Sequence, residues 1–239
     1  MGTSKTRESV FRFKRFDVAN SLSAMKVGTD GVLLGAWACV PDASRTTVLD
    51  VGTGSGLVAL MVAQRFDNAF ITGIDIVEGA CEEARVNAAA SPWARRIVIE
   101  YAGFCEYAGR GVSFDAVVSN PPFFKTEIKA ADRGRMLARH GADLDYRVIM
   151  RACAEGLLSA DGILSMVSPA ERQNDIMFDM ELCGLRLSRM TRVFTKPGAQ
   201  EPSRLLWEMR RDKKASPPKV EDLLIGSDAY KALTGDFYL

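Results

Sequence analysis

Asn120-Pro121-Pro122-Phe123 brings together the residue types best suited to chemistry in this chain. The tetrapeptide follows directly on Phe114 to Ser119, an apolar run that reads as a strand, so it forms a stiff shelf at a strand end. Pro121 restricts Asn120 to extended backbone. Each proline also fixes its own φ and lacks an N–H, which leaves the Asn120 and Pro121 carbonyls as unopposed acceptors. Such a shelf suits a planar group that carries an amine. On turn chemistry alone the same residues read first as a rigid strand-to-loop connection, and the rest of the chain has to separate the two.

Seventy residues upstream, the apolar run Val48-Leu49-Asp50-Val51 opens into Gly52-Thr53-Gly54-Ser55-Gly56 and then into the helical run Leu57 to Phe66. Alternating glycines let the backbone approach a ligand where a Cβ would collide. A dinucleotide fingerprint needs its third glycine three places after the second, and Leu57 occupies that place. A phosphate loop needs Lys-Ser or Lys-Thr after its last glycine, whereas Leu57-Val58 follows. The spacing Asp50-x-Gly52-x-Gly54-x-Gly56 instead resembles the S-adenosylmethionine loop of class I methyltransferases, which implies that the glycines admit the amino-acid end of that cofactor. The next strand-like run, Phe70 to Asp75, ends in a carboxylate placed to accept hydrogen bonds from ribose hydroxyls, with Ile76 beside it. Nicotinamide enzymes share that carboxylate, so the glycine spacing is what discriminates.

The elements around these motifs alternate. Strand 47–51 is followed by helix 56–66, strand 70–75 by helix 77–90, then strands 96–101 and 114–119, helix 143–159, strand 162–167 and helix 169–183. Near-continuous apolar strands with helical crossovers predict a parallel sheet covered on both faces. Residues 186–194 and 203–210 are extended runs joined by a loop too short for a helix, and predict an antiparallel hairpin. The expectation is an α/β fold with a mostly parallel seven-stranded sheet closed by that hairpin. Phe11-Arg12-Phe13-Lys14-Arg15-Phe16 alternates as a strand with one wet, basic face. A short buried helix is expected over 31–40, and residues 210–218 read as a linker before a tail.

The chain has 239 residues, of which 47% are hydrophobic, enough for one substantial core. No apolar run approaches the ~20 residues of a membrane span, so a soluble cytoplasmic protein is expected. Five scattered cysteines and one histidine, His140, supply neither a zinc set nor a disulfide framework, and the thiols read as buried and inert. The net charge of +1 is unevenly spread. Lys5, Arg7, Arg12, Lys14, Arg15 and Lys26 face only Glu8 and Asp17 in the first 26 residues, and Lys125 to Arg151 repeats the excess. A basic rim of this kind suits a phosphodiester backbone.

Asp50 to Gly56, Asp75 and Asn120 to Phe123, in this order, resemble the amino-methyltransferases that carry an Asn/Asp-Pro-Pro-Tyr/Phe motif. With Met25 to Gly31, Ser91 to Ile97 and Ala138-Arg139-His140 added, the chain resembles one subgroup over most of its length, the tRNA1(Val) adenine-N6-methyltransferases. The resemblance implies S-adenosylmethionine as cofactor, tRNA as partner, no metal, and an adenine beside the anticodon as target; a monomer is expected. It implies that Gly52, Gly54 and Gly56 contact the methionine part of the cofactor and Asp75 its ribose. Lys26, Thr29 and Asp30 would close the site near the amino and carboxyl groups. The family's acidic residue after the third strand is replaced by Gly103, which leaves contact with the cofactor's adenine to Phe104. Residues 1–45 would then be a basic extension closing the cofactor site, 46–211 the methyltransferase core, and 212–239 a linker and tail.

An exocyclic aromatic amine is a poor nucleophile because its lone pair is delocalised. If Asn120 Oδ1 and the Pro121 carbonyl each accept one N–H, the lone pair is aimed at the methyl donor by placement and electrostatics, without a strong base. Pro122 holds the shelf and Phe123 stacks on an unstacked base. Lys125, Arg133, Arg135, Arg139 and His140 would contact the RNA, although a loop imidazole also reads as a structural hydrogen-bonder. Three alternatives remain at this level: a guanine-N2 ribosomal-RNA methyltransferase, a glutamine-N5 protein methyltransferase, and a non-catalytic RNA-binding module that keeps the fold.

Overall fold

The computed structural model describes residues 10–22, 26–122, 144–211 and 216–239. Three early elements precede the core: β1 (Val10–Arg12), β2 (Asp17–Ala19) and α1 (Thr29–Trp37). The core alternates β3 (Thr46–Val51), α2 (Leu57–Arg65), β4 (Ala69–Asp75), α3 (Glu78–Ala90), β5 (Ile97–Tyr101), α4 (Phe104–Ala108) and β6 (Phe114–Ser119). After the undescribed stretch come α5 (Tyr146–Ala152), β7 (Leu158–Pro169), α6 (Gln173–Leu182), β8 (Arg186–Phe194), β9 (Arg204–Arg210), β10 (Lys219–Leu224) and α7 (Asp228–Thr234).

The main sheet has the order β10-β8-β9-β7-β6-β3-β4-β5. All its strands run the same way except β9, which lies antiparallel between β7 and β8. This is the expected architecture with eight strands rather than seven. The added strand, β10, falls where the charged run Lys219-Val220-Glu221-Asp222 reads as tail. Its backbone pairs in parallel with β8, and Arg192 of β8 holds Asp222 at 2.6 Å, so ladder hydrogen bonds and a charge pair make an edge strand from a segment with little apolar patterning. The expected strand over Phe11–Phe16 is likewise shorter. It turns after Arg12 into a β1–β2 hairpin in which Phe13 stacks on Phe16 at 4.6 Å, so aromatic packing overrides the alternation. The helix expected over 143–159 ends at Ala152, passes through one wide turn closed by Gly156 at φ 131°, and hands over to β7 at Leu158.

Two apolar layers flank the sheet, as continuous hydrophobic strands require. One gathers α1, α2 and α3 with Phe13, Phe16, Trp93 and Phe237; the other gathers Tyr146, Ile149, Met150, Ile176 and Trp207. Two of the indole N–H groups are satisfied within these layers, Trp37 donating to Thr191 Oγ1 at 2.9 Å and Trp207 to Ser168 Oγ at 2.9 Å. Arg96 closes the C-terminal end of α2 by donating to the carbonyls of Ala63 at 2.7 Å and Phe66 at 2.8 Å. Of the cysteines, Cys81 and Cys153 are buried, and burial pushes both thiols up, as befits inert groups; Cys105, in contrast to the expectation, is exposed.

The two ends of the described chain meet on the first layer. Lys14 N donates to the Phe237 carbonyl at 2.8 Å, Gln64 Nε2 to the Asp236 carbonyl at 3.0 Å, and the Phe237 ring is 1% exposed. Phe237→Ala should therefore leave a cavity under α1 and α2 and cost about 3–5 kcal/mol, read as a lower urea midpoint at constant m-value.

Candidate active site

The site is assembled at the edge where the parallel strands end, the place at which open α/β sheets receive ligands. A cavity of about 360 Å³ lies there, with Gly52, Gly54, Lys26, Asp30, Asn120 and Arg204 among its lining residues. The loop after β3 makes its first wall. Gly54 sits at φ 55° with nothing within 4 Å of an added Cβ, so the requirement for glycine at that point is conformational. Gly56, at φ 82°, meets a second limit, because a Cβ there would come within 3.3 Å of Ala84 on α3.

Asp50 holds this loop from beneath. It is 1% exposed, and its Oδ2 accepts from the Thr53 hydroxyl at 2.7 Å and from the Ala59 N–H in the first turn of α2 at 3.1 Å. Asp75 holds the loop from the side. Its Oδ2 accepts the Gly54 N–H at 2.9 Å and its Oδ1 the Val77 N–H at 2.9 Å, while further lone pairs on each oxygen stay open to a ligand. Ile76 and Phe104 stand beside it outside the cavity: Ile76 is exposed, Phe104 is buried at the start of α4, and a Cβ on Gly103 would lie 3.6 Å from Ile76 Cδ1.

The opposite wall comes from the N-terminal segment and β6. Lys26, Thr29 and Asp30 line the cavity at the start of α1, with Lys26 Nζ donating to the Asn20 carbonyl and Asp30 accepting from Arg204 Nε at 2.9 Å. Asn120 lines the cavity just past β6, where its Oδ1 is buried with no hydrogen-bond partner among the described residues. Pro121 is buried and Pro122 exposed. Of the sequence-derived candidates, Phe123, Lys125, Arg133, Arg135, Arg139 and His140 lie outside the described residues.

The sequence reading missed one wall of the cavity. Val193 and Thr195 at the end of β8, Ser203 and Arg204 at the start of β9, and Ile225 after β10 complete its lining. The signal was present in the topology: β8 and β10 run parallel to the core strands and β9 runs against them. The C-terminal ends of β8 and β10 and the N-terminal end of β9 therefore reach the same edge as the glycine loop.

Residues 5–180 match the family model described as the methyltransferase small domain. The chain is 43% identical over 237 residues to the tRNA1(Val) (adenine(37)-N6)-methyltransferase of Phocaeicola vulgatus, covering 96% of this chain and 97% of that protein. The enzyme of the same name from Porphyromonas gingivalis is 42% identical, with 96% and 94% covered. The chain belongs to the tRNA1(Val) adenine-N6-methyltransferase family. At the level of fold alone, a predicted O-methyltransferase from Agrobacterium tumefaciens superposes with a TM-score of 0.61 at 20% identity, covering 87% of this chain and 96% of that one.

S-adenosylmethionine is the cofactor that goes with this family and fold, and the residues present fit it. The glycine loop offers backbone at close range, Asp75 offers acceptors for hydroxyls, and Asn120 Oδ1 is a buried acceptor awaiting a donor. Among the described residues no group of His, Cys, Asp and Glu is arranged to hold a metal ion, and no helix is long and apolar enough to cross a membrane.

Burial raises the Asp50 carboxyl from 3.8 to about 7, the Thr53 and Ala59 hydrogen bonds opposing that shift and the Asp75 charge adding to it. A raised acid binds its proton more tightly folded than unfolded. Stability is therefore highest below about pH 4 as far as this group is concerned, and falls as pH rises from about 4 to about 7, by up to ~1.4 kcal/mol per pH unit. Asp50→Asn, which keeps an acceptor for Thr53 and Ala59, should flatten that slope in urea titrations run across the same interval.

Proposed function

We propose that this protein transfers a methyl group from S-adenosylmethionine to the exocyclic N6 amine of an adenine in tRNA, the target being the adenine beside the anticodon of tRNA1(Val); the relatives' names specify adenine 37 of that tRNA. The observation that carries this reading is the buried, unpartnered Oδ1 of Asn120 at the wall of the cavity that the glycine loop shares. A buried acceptor without a donor costs about 1–3 kcal/mol, and a substrate N–H is what relieves it.

When bound, the cofactor supplies an electrophilic methyl on a sulfonium. Asn120 Oδ1 and the Pro121 carbonyl accept the two amine hydrogens, which draws the nitrogen toward tetrahedral geometry and fixes the direction of its lone pair. Pro122 keeps the shelf rigid, and Phe123 stacks on the base. Gly52, Gly54 and Gly56 receive the amino-acid end of the cofactor over the turn that Asp50 braces, and Asp75 with Ile76 and Phe104 receives its nucleoside. Residues 1–45 close the site through Lys26, Thr29 and Asp30, residues 46–211 are the catalytic core, and residues 212–239 complete it. Lys125, Arg133, Arg135, Arg139 and His140 hold the RNA. The protein acts as a monomer in the cytoplasm.

Purified protein given methyl-labelled cofactor and tRNA lacking the modification should yield labelled N6-methyladenosine on nucleoside digestion. Asn120→Ala should lower kcat by about 10²–10³ with an unchanged dissociation constant for tRNA. Label recovered on guanine, or full activity in Asn120→Ala, would sink the assignment.

A further inference from the structure

A second cleft, of about 590 Å³, opens at the other end of α2, lined by Lys14, Arg15, Gln64, Arg65, Phe66 and Asp236. Three cations face one carboxylate. Lys14 is held there by its Nζ, which donates to the Gly235 carbonyl at 2.6 Å and keeps further N–H donors for a ligand. The Arg15 guanidinium lies 5.5 Å from the Trp93 ring, and neither Lys14 nor Arg15 has an acidic partner within ion-pair range among the described residues. Arg65 Nη1 donates to both the Gly35 and Ala38 carbonyls, which fixes the guanidinium as a positive charge at the cleft.

Gln64 gives the cleft a second requirement. The residue is 9% exposed, its Nε2 donates to the Asp236 carbonyl at 3.0 Å, and its Oε1 is buried with no partner among the described residues. Turning the amide over would set carbonyl against carbonyl, so the orphan oxygen is fixed in place. A phosphate alone brings acceptors and leaves Oε1 unsatisfied. A ribonucleotide brings both an anion and a 2′-hydroxyl that can donate.

We propose that this cleft is a second docking point for the RNA strand, with a phosphate against Lys14 and Arg15 and the adjoining ribose 2′-hydroxyl donating to Gln64 Oε1. The Asp236 carboxylate keeps the phosphate on the Lys14–Arg15 side. The inference rests on the tRNA reading above and extends it to a second place on the protein. Five residues lead from Arg15 to Asn20, at most ~18 Å of chain, and the Asn20 carbonyl accepts from Lys26 at the rim of the first cavity. That reach equals about five stacked nucleotides at ~3.4 Å each, so one strand can engage both places.

The test uses the full chain with Lys14→Gln and Arg15→Gln combined. The expected result is a KM and Kd for tRNA raised about ten-fold, a salt slope of binding reduced by about 1, and kcat and the cofactor KM unchanged. A second variant, Gln64→Met, keeps side-chain length and removes the Oε1 acceptor together with the Nε2 donor to the Asp236 carbonyl; it should lose the wild-type preference for a ribo- over a 2′-deoxyribo-oligonucleotide of the anticodon arm, read on protein whose circular dichroism shows it folded. Unaltered tRNA affinity and salt slope in the double variant would overturn the docking point, and an undiminished ribose preference in Gln64→Met would overturn the hydroxyl contact. Because binding is measured apart from turnover, a wild-type protein that binds tRNA without methylating it would refute the activity and leave the cleft to be judged on affinity alone.

Discussion

The carboxylate of Asp50 is the constraint on which the site depends. It sits at the point where β3 must leave the sheet, reverse and enter α2, and it reaches both sides of that reversal, bonding Thr53 in the turn and Ala59 in the helix. Burying an acid at 1% exposure is unfavourable, and burial raises its pKa against the two hydrogen bonds that oppose the shift. What the penalty secures is a tight glycine turn held at the wall of the cavity. The Gly52 and Thr53 N–H groups both donate to the Ile74 carbonyl at 2.9 Å, which locks the loop onto the neighbouring strand and leaves Gly54 to meet Asp75.

Everything beyond the loop is held against it by polar groups that span distant parts of the chain. Asn87 on α3 is buried and makes three such bonds: its Oδ1 accepts the Ala19 N–H at 2.9 Å, and its Nδ2 donates to the Ala19 carbonyl at 2.8 Å and the Ser55 carbonyl at 2.9 Å. One side chain therefore sets the N-terminal hairpin relative to the glycine loop. Glu83, one helical turn earlier, accepts the Ser21 and Leu22 N–H groups. Trp93 and Phe16 meet edge to face at 5.7 Å, and this packing gives a structural reason for the Ser91 to Ile97 stretch, whose Arg96 also caps α2.

Much of this was legible from residue types, for physical reasons that differ by element. The boundaries of β6 and β8 agree with the sequence reading because each is an unbroken β-favouring run closed by turn residues. The glycine loop was legible because its spacing tolerates few ligands. β10 was not, since an edge strand with one wet face and alternating charge carries no hydrophobic period, and its existence depends on the register that β8 offers. Arg204 was not legible either: it lies 174 positions from Asp30, and only the reversed direction of β9 brings the two together at 2.9 Å. Short α4 escaped because five residues carry too little periodicity to separate from a turn.

The charges around the cavity also bear on what kind of catalysis it supports. Two carboxylates, Asp30 and Asp50, line it among the described residues. Asp30 is spent on Arg204, and Asp50 lies beneath the loop with its Oδ2 occupied twice. Neither is placed as a free general base for the group that Asn120 would receive. A base would be needed if the nucleophile had to be deprotonated before attack. An exocyclic amine has no such need, because its lone pair exists in the neutral molecule and its proton becomes acidic only once the nitrogen has gained a fourth substituent. Two fixed acceptors then do what a base cannot: they localise the lone pair without competing for the proton. Among the described residues, a buried amide oxygen with no free carboxylate beside it is what the proposed methylation of a neutral, planar amine requires.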